Sequence, residues 1–322
     1  MILLEWLQYP FVWSYQQTVE KLSLPKQKIF WAYVFLFIPL IFFLYIRIYP
    51  TIQAFGMSFY DWNPLAVEQE FIGFDNYAEI FEDVQKPALT SPTRAAFENT
   101  VKYVVIGMPL QLVLSLSIAL MLSEIRRFVD FYRVIFFLPF VTSTIAVAWV
   151  FRWLYQPQHG LFNVVLAAFS LPTQDFLDSR GQALFSILAV VIWQGLGFAV
   201  IIFLAGLKQI PRTYYEAAEV DGSSRWQSFW NITLPLLNPS IVYLVVLQTI
   251  SFLRMFAPVL AMTSQGDGGP LNSTTTVVLR VFREAFGTRS KMGYSAALTV
   301  VLFAVILMVT IIQLRLTTRS VD

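Results

Sequence analysis

Six long apolar stretches alternate with polar segments of very unequal length along this chain. Roughly 20 apolar residues in a helix match the hydrocarbon core of a bilayer, so each stretch predicts a membrane-crossing helix. They cover residues 30–48, 100–122, 134–154, 183–207, 241–260 and 294–314. None of them contains Asp or Glu. Arg47, Lys102 and Arg152 sit near span ends, where a long side chain can reach water. Arg254 is the one charge well inside a predicted span. The expected fold is therefore all-α and polytopic, six transmembrane helices, with residues 1–28 ahead of a membrane domain at 29–318.

The connecting segments differ in character. Residues 49–99 are polar and long enough for short helices, with turns expected at Trp62-Asn63-Pro64 and Ser91-Pro92. Residues 263–293 begin with Gly266, Gly268, Gly269 and Pro270. There follow Val277, Val278, Val281, Phe282 and Phe286, which fit one face of a short amphipathic helix near the membrane surface. Residues 1–28 mix Leu, Trp and Phe with Glu5, Gln8, Gln16, Gln17 and Glu20. That pattern suits an interfacial helix and lacks the continuous apolar core of a cleavable signal. Six crossings put both termini on one side. Lys and Arg are denser in the segments that share that side, which places both termini in the cytoplasm.

Composition agrees. Of 322 residues 57% are hydrophobic and only 13% charged, and mean hydropathy is +0.63. A soluble domain carries about 25% charged residues. A net charge of +2 gives no field for nucleic acid. The chain has no Cys and a single His, His159, which excludes disulfides, a Cys nucleophile and multi-histidine metal sites. With no acidic pair in the spans either, nothing supplies a catalytic constellation, and the chain is not expected to be an enzyme. Proton or sodium coupling in a secondary carrier usually shows as acids or His buried in the spans, and these spans have none.

Residues 208–239 carry the distinguishing motif. They read Tyr215-Glu216-Ala217-Ala218-Glu219-Val220-Asp221-Gly222, then, after Phe229, Ile232-Thr233-Leu234-Pro235-Leu236-Leu237-Asn238-Pro239. Pro211 suits a helix start, and Tyr214 to Val220 a short helix. Gly222 permits a turn, and Ser223 is placed to cap a second helix through Phe229 and Ile232. Pro235 and Pro239 then break or bend the chain as it re-enters the membrane. Spacing alone leaves two readings, a solvated loop packed on its own spans or a small docking platform.

This loop resembles the EAA motif of permease subunits in binding-protein-dependent ABC importers: Glu-Ala-Ala, then Asp-Gly, then Ile-x-Leu-Pro. Ser223 stands where Ala is usual. The resemblance implies a coupling helix that sits in a cleft of a separate ATPase. Glu216, Ala217 and Ala218 would dock, Asp221 and Gly222 would shape the turn, and Pro235 would set the return into the next span. Three further segments resemble the maltose-permease-like, carbohydrate-importing branch. They are Phe71-Ile72-Gly73-Phe74-Asp75-Asn76-Tyr77, Gln156-Pro157-Gln158-His159-Gly160-Leu161-Phe162-Asn163, and Gly268-Gly269-Pro270 with Thr274-Thr275, Ala285-Phe286 and Gly293-Tyr294-Ser295-Ala296. A Tyr common three residues before the Ala-Phe pair is Phe282 here.

The resemblance implies passage of a small sugar or glycoside, of disaccharide or glucosyl-polyol type, across a bacterial inner membrane. Its implied partners are a second homologous permease, an ATP-binding subunit dimer, an extracytoplasmic solute-binding protein and membrane lipid. The chain has no Gly-x-x-x-x-Gly-Lys-Ser/Thr loop, so ATP belongs to the partner and no cofactor is expected here. Trp193, Gln194 and Gln248 pair stacking surface with hydrogen-bonding groups, as sugar recognition requires. Interhelical packing and interfacial anchoring explain such residues more often. Arg254 either lines the path, faces a neighbouring subunit or snorkels outward.

Overall fold

The computed structural model describes residues 23–64, 69–125, 127–288 and 290–318. Most of the expected interfacial segment, residues 1–22, lies outside these, as do Arg126, Arg289 and Arg319. The chain forms two compact units, Met1–Met57 and Ser58–Asp322. In the first, α1 runs Leu24–Met57 and no residue of it is buried. A helix that is apolar on every side and unburied is solvated by lipid or by other helices rather than by water.

The second unit begins with two short paired strands, β1 (Tyr60–Asp61) and β2 (Glu70–Phe71), joined antiparallel. Helices follow in the order α2 (Asp75–Gln85), α3 (Pro92–Glu124), α4 (Val129–Val141), α5 (Thr144–Leu154), α6 (Leu161–Ala168) and α7 (Ala183–Gln209). Next come α8 (Arg212–Val220), α9 (Arg225–Leu236), α10 (Asn238–Leu253), α11 (Ala257–Met262), α12 (Val277–Phe286) and α13 (Met292–Thr318). Among the described residues four helices, α1, α3, α7 and α13, are long and apolar enough to cross a membrane. Two bent pairs, α4–α5 and α9–α10, raise the number of crossings to as many as 6.

Proline shapes these helices in a regular way. Widened π turns at Leu44–Ile48, Tyr103–Gly107 and Phe229–Thr233 each end two residues before a proline, Pro50, Pro109 and Pro235. Proline cannot donate to the carbonyl four residues back, and its ring clashes with it; an extra residue in the turn relieves both. The helix axis therefore continues where a simple reading of Pro235 expects a break.

Two of the expected spans differ from the prediction. The stretch 134–154 is bent by 93° between α4 and α5. Thr142 and Ser143 take extended backbone conformations just after Pro139, and the Thr142 hydroxyl donates to the Pro139 carbonyl at 2.6 Å. The stretch 241–260 ends at Leu253. Arg254 is the exposed residue that closes α10, not a charge inside a span. A separate short helix, α11, holds the remaining apolar residues.

Helix α7 sits at the centre, packed against α3 and α4, with α11 against α5 and α12 along α13. Four apolar clusters result among the described residues, two of them large. One gathers Tyr103, Ile187, Leu188, Phe252, Val259 and Leu279; the other gathers Ala119, Leu122, Val200, Phe203 and Leu244. The amphipathic helix expected around Val277 to Phe286 is α12, capped by the Thr276 side chain on the Leu279 N–H.

Three of the motif asparagines and glycines turn out to fasten the loops between helices. Asn76 donates to the carbonyls of Ser58 and Tyr60 at 2.9 and 3.0 Å. Asn163 donates to Pro157 and Gln174 carbonyls at 2.9 and 2.8 Å, and accepts from the Gln174 N–H at 2.9 Å. A Cβ on Gly160 would strike the Gln156 and Leu154 carbonyls, so that tight turn admits only glycine. Asn99, unmarked in the sequence, donates to the Asn272 and Thr275 carbonyls at 2.8 and 3.2 Å. A buried side-chain amide that closes a loop satisfies backbone groups that would otherwise lose water without compensation.

Asp83 anchors α2 to the start of α13. Its carboxylate accepts from Lys86 at 2.8 Å and from the Tyr294 hydroxyl at 3.1 Å. Partial burial pushes its pKa up, but the hydrogen bonds from Lys86 and Tyr294 and the charges of Lys86 and Arg280 outweigh that and hold it below the usual value. A carboxylate depressed in the folded state stabilises the fold above its unfolded pKa, and the contribution is lost as pH falls through the folded value. The thermal midpoint of the purified wild-type chain should therefore exceed that of Asp83→Asn at neutral pH. The gap should close below about pH 4. A gap that stays constant with pH would show the carboxylate charge to be irrelevant there.

Candidate functional site

The platform at α8–α9 is built from local rules. Pro211 precedes α8 at the position where its missing N–H costs nothing. At the other end, the Ser223 N–H donates to the Ala218 carbonyl at 2.8 Å and the Gly222 N–H to that of Glu219 at 3.1 Å. That is the paired closure of a Schellman turn, and it requires a left-handed residue, here Gly222 at φ +76. The cap of the second helix is Ser224 rather than Ser223. Ser224 Oγ accepts from the Gln227 N–H while Gln227 Oε1 accepts from the Ser224 N–H, a reciprocal capping box that Ser223 has no Gln or Glu partner to form. The Tyr215 hydroxyl and Thr233 Oγ1, 2.9 Å apart, tie the two helices together.

This geometry points Glu216 and Ala217 to solvent, leaves Ala218 half-buried, and exposes Asp221, Gly222 and Pro235. The six residues expected to serve coupling, three for docking, two for the turn and one for the return, thus lie within one small helix-turn-helix and its exit. The sequence reading missed the apolar half of the platform. Val220 is 89% exposed and Trp226 68%, and the rings of Trp226, Phe229 and Trp230 cluster at 5.4–5.8 Å. Exposed aromatics on a polar loop are the signal that marks such a surface. Beneath the platform a cavity of about 1000 Å³ opens between the ends of α3 and α7 and the start of α4, with Lys208, Arg212, Arg225 and Arg133 among its walls. Arg225 lies 3.6 Å from Glu124, both heavily exposed, a contact worth little in water.

The four residues singled out for a solute path are differently placed. The Gln194 amide donates to the Thr142 carbonyl at 3.2 Å, satisfying the backbone freed where α4 and α5 part. Trp193, 42% exposed, meets Phe151 with ring centroids 5.2 Å apart. Gln248 is buried in α10, and Arg254 stands exposed at its end. Of these, only Trp193 and Gln194 are seen meeting the same broken segment, α4–α5.

A polytopic helical chain with a capped, exposed helix pair between α7 and α10 matches a known family along most of its length. The model for binding-protein-dependent transport system inner membrane components matches residues 99–321. The chain belongs to this family. It is a transport permease of the ABC importer type, multi-pass in the membrane and not an enzyme. It is 31% identical over 288 residues to the probable ABC transporter permease protein YurN of Bacillus subtilis, covering 88% of this chain and 94% of the relative. It is 33% identical over 300 residues to the diacetylchitobiose uptake system permease protein NgcF of Streptomyces coelicolor, covering 89% and 82%. It is also 32% identical over 283 residues to the sn-glycerol-3-phosphate transport system permease protein UgpA of Escherichia coli, covering 87% and 90%. A chain from a bacterial ABC transporter that imports the acidic polysaccharide alginate shares its fold, with TM-score 0.76 and 23% identity over 92% of this permease and 98% of that chain.

Proposed function

We propose that this permease forms, with a second homologous permease, the membrane pathway for a small sugar or glycoside delivered by a solute-binding protein. It is driven by a separate pair of ATP-binding subunits docked on α8–α9. The observation that carries this reading is the platform itself. A rigid, doubly capped helix pair presents Glu216 and Ala217 to solvent beside exposed Val220 and Trp226, with no partner in this chain to cover them among the described residues. A mixed acidic and apolar patch on a stiff element suits transmission of a rigid-body movement from a closing ATPase. The sugar reading is supported by relatives named for diacetylchitobiose, multiple sugars and arabinooligosaccharides.

Location follows from the platform. If α8–α9 faces the cytoplasm, two crossings separate it from the C-terminus and four from the N-terminus, so both termini are cytoplasmic in a bacterial inner membrane. Trp193, Gln194, Gln248 and Arg254 remain our assignment for groups along the path, with Gln194 acting through the α4–α5 break. Gentle extraction of a C-terminally tagged chain from native membranes should recover a second permease and an ATPase. ATPase recovery should be lost in Glu216→Lys. A chain that comes out alone and moves solute in liposomes without ATP would overturn the proposal.

A further inference from the structure

We propose that the outer end of α5 forms a docking site for a neutral saccharide, ahead of the path residues and distinct from them. The proposal rests on the sugar reading above. A cavity of about 550 Å³, within the range of small-molecule sites, lies between the end of α5, the turn at Phe176–Asp178 and the segment after α11. Two of its walls are Trp149 and Trp153, one turn apart on the same face of α5, and they are 58% and 75% exposed. Facing polar groups come from elsewhere in the chain: Gln156, Asp178, Ser264 and Asp267.

The chemistry of these groups is specific. Flat aromatic faces offer apolar surface to the C–H side of a sugar ring, while carboxylates accept from its hydroxyls and a guanidinium donates to them. Arg152, Asp178 and Asp267 all line the cavity, yet no ion pair forms among them. The Arg152 guanidinium lies instead over the Trp149 ring, 5.1 Å from its centroid. Asp178 has no hydrogen-bond or ion-pair partner for its carboxylate among the described residues. Two carboxylates and one guanidinium line the cavity, and behind them the Arg283 guanidinium donates to the Asp267 carbonyl at 2.8 Å, so the site has no excess of positive charge to hold a uronate, sulfonate or phosphate, and its mixed groups suit an uncharged ring.

Packed rings link the cavity to the span interior. Tyr155 lines the cavity and packs on Phe151 at 6.0 Å, and Phe151 meets Trp193 at 5.2 Å. The cavity is thus connected by contiguous aromatic contacts to the span residue already assigned to the path. A pair of tryptophans near a span end also suits an interfacial anchor in lipid. The facing carboxylates are what separate the two readings, because an acyl chain has no use for them.

The test uses the complete importer in nanodiscs, without its binding protein, and radiolabelled maltose, cellobiose and N,N′-diacetylchitobiose, with a mannuronate disaccharide as the acidic comparator. Cells carrying the whole system are first scored for uptake of each. The neutral sugar that is taken up should bind the wild-type importer and weaken about 10-fold or more in Trp149→Ala/Trp153→Ala. It should weaken also in Asp178→Asn/Asp267→Asn, which leaves the tryptophans in place, and recover in part in Trp149→Phe/Trp153→Phe. Unchanged affinity in the Ala and Asn pairs, no binding to the wild type, or preference for the acidic sugar would each overturn the site while sugar import stands. Failure of cells to take up any of these sugars, or glucosylglycerol scored beside them, would remove the sugar reading and the site with it.

Discussion

Glu216→Lys should reduce solute uptake on the order of 100-fold while the chain remains inserted and paired with its second permease. Glu216 is fully outside the folded core of α8, so reversing its charge leaves the Schellman turn, the capping box and the Tyr215–Thr233 bond intact. Under the proposed coupling role it alters a docked interface, where replacing one member of a charged, desolvated contact costs about 2–5 kcal/mol, and each 1.4 kcal/mol is roughly tenfold. Gly222 supplies an internal control. A Cβ there would meet nothing within 4 Å, so Gly222→Ala bears only the left-handed backbone cost of about 1–2 kcal/mol and should retain part of its uptake. Gly222→Pro fixes φ near −65° against the observed +76, which the turn cannot accommodate, and should be as inactive as Glu216→Lys. Uptake rates in cells with matched membrane levels decide the matter. Normal uptake in both Glu216→Lys and Gly222→Pro would remove α8 from the coupling role.

The contrast between those two positions shows which parts of this molecule were legible from sequence. Local rules with a one-residue signature transferred well. Gly222 marked a left-handed turn, Pro211 a helix start, and the apolar spacing from Val277 to Phe286 an amphipathic helix. Rules that depend on competition between neighbours did not. Ser223 and Ser224 are equally good caps by type, and only Gln227 three residues after Ser224 decides between them. Proline announced a disturbance at Pro235 without its form, because a π turn in the preceding residues absorbs the clash. The bend comes instead at Leu237, just before Pro239, at 65°. The break at Thr142–Ser143 left almost no mark, since Pro139 lies a turn earlier and the residues on both sides, 134–141 and 145–151, are apolar. Its stability comes from Gln194, 52 residues away in sequence. Hydropathy alone likewise ran the fifth span on to Leu260, because the chain leaves the α10 axis at Arg254 and stays apolar afterwards. The proposed path residues carry the weakest sequence signal, since apolar helices in lipid bury and expose the same side-chain types.

Gly197→Ala should strongly destabilise the fold, although the substitution adds a single methyl and improves helix propensity. At this position α7 and α4 approach so closely that a Cβ would collide with the Phe136 carbonyl oxygen, with the Phe136 carbonyl carbon 2.6 Å and Phe137 Cα 2.7 Å away. Each of those atoms is backbone, so no rotamer change can make room, and α4 must shift as a body. Overpacking of a tight core costs about 1–3 kcal/mol and more where backbone must move. The shift would also pull the Thr142 carbonyl from Gln194, uncovering a peptide group where the bilayer offers no water to replace the bond. Tight contact through small residues is how helices associate in lipid, where hydrophobic burial gives no drive between them. Gly195→Ala should be milder, because the nearest atom to its Cβ is the end of the Gln111 side chain, which can swing aside. Gly181→Ala, with nothing within 4 Å, should be silent. Membrane levels and the thermal midpoint in detergent should thus fall in the order Gly181→Ala, Gly195→Ala, Gly197→Ala. Wild-type levels and midpoint for Gly197→Ala would mean that α4 is not seated on α7 through this glycine, and the break between α4 and α5 would need another support.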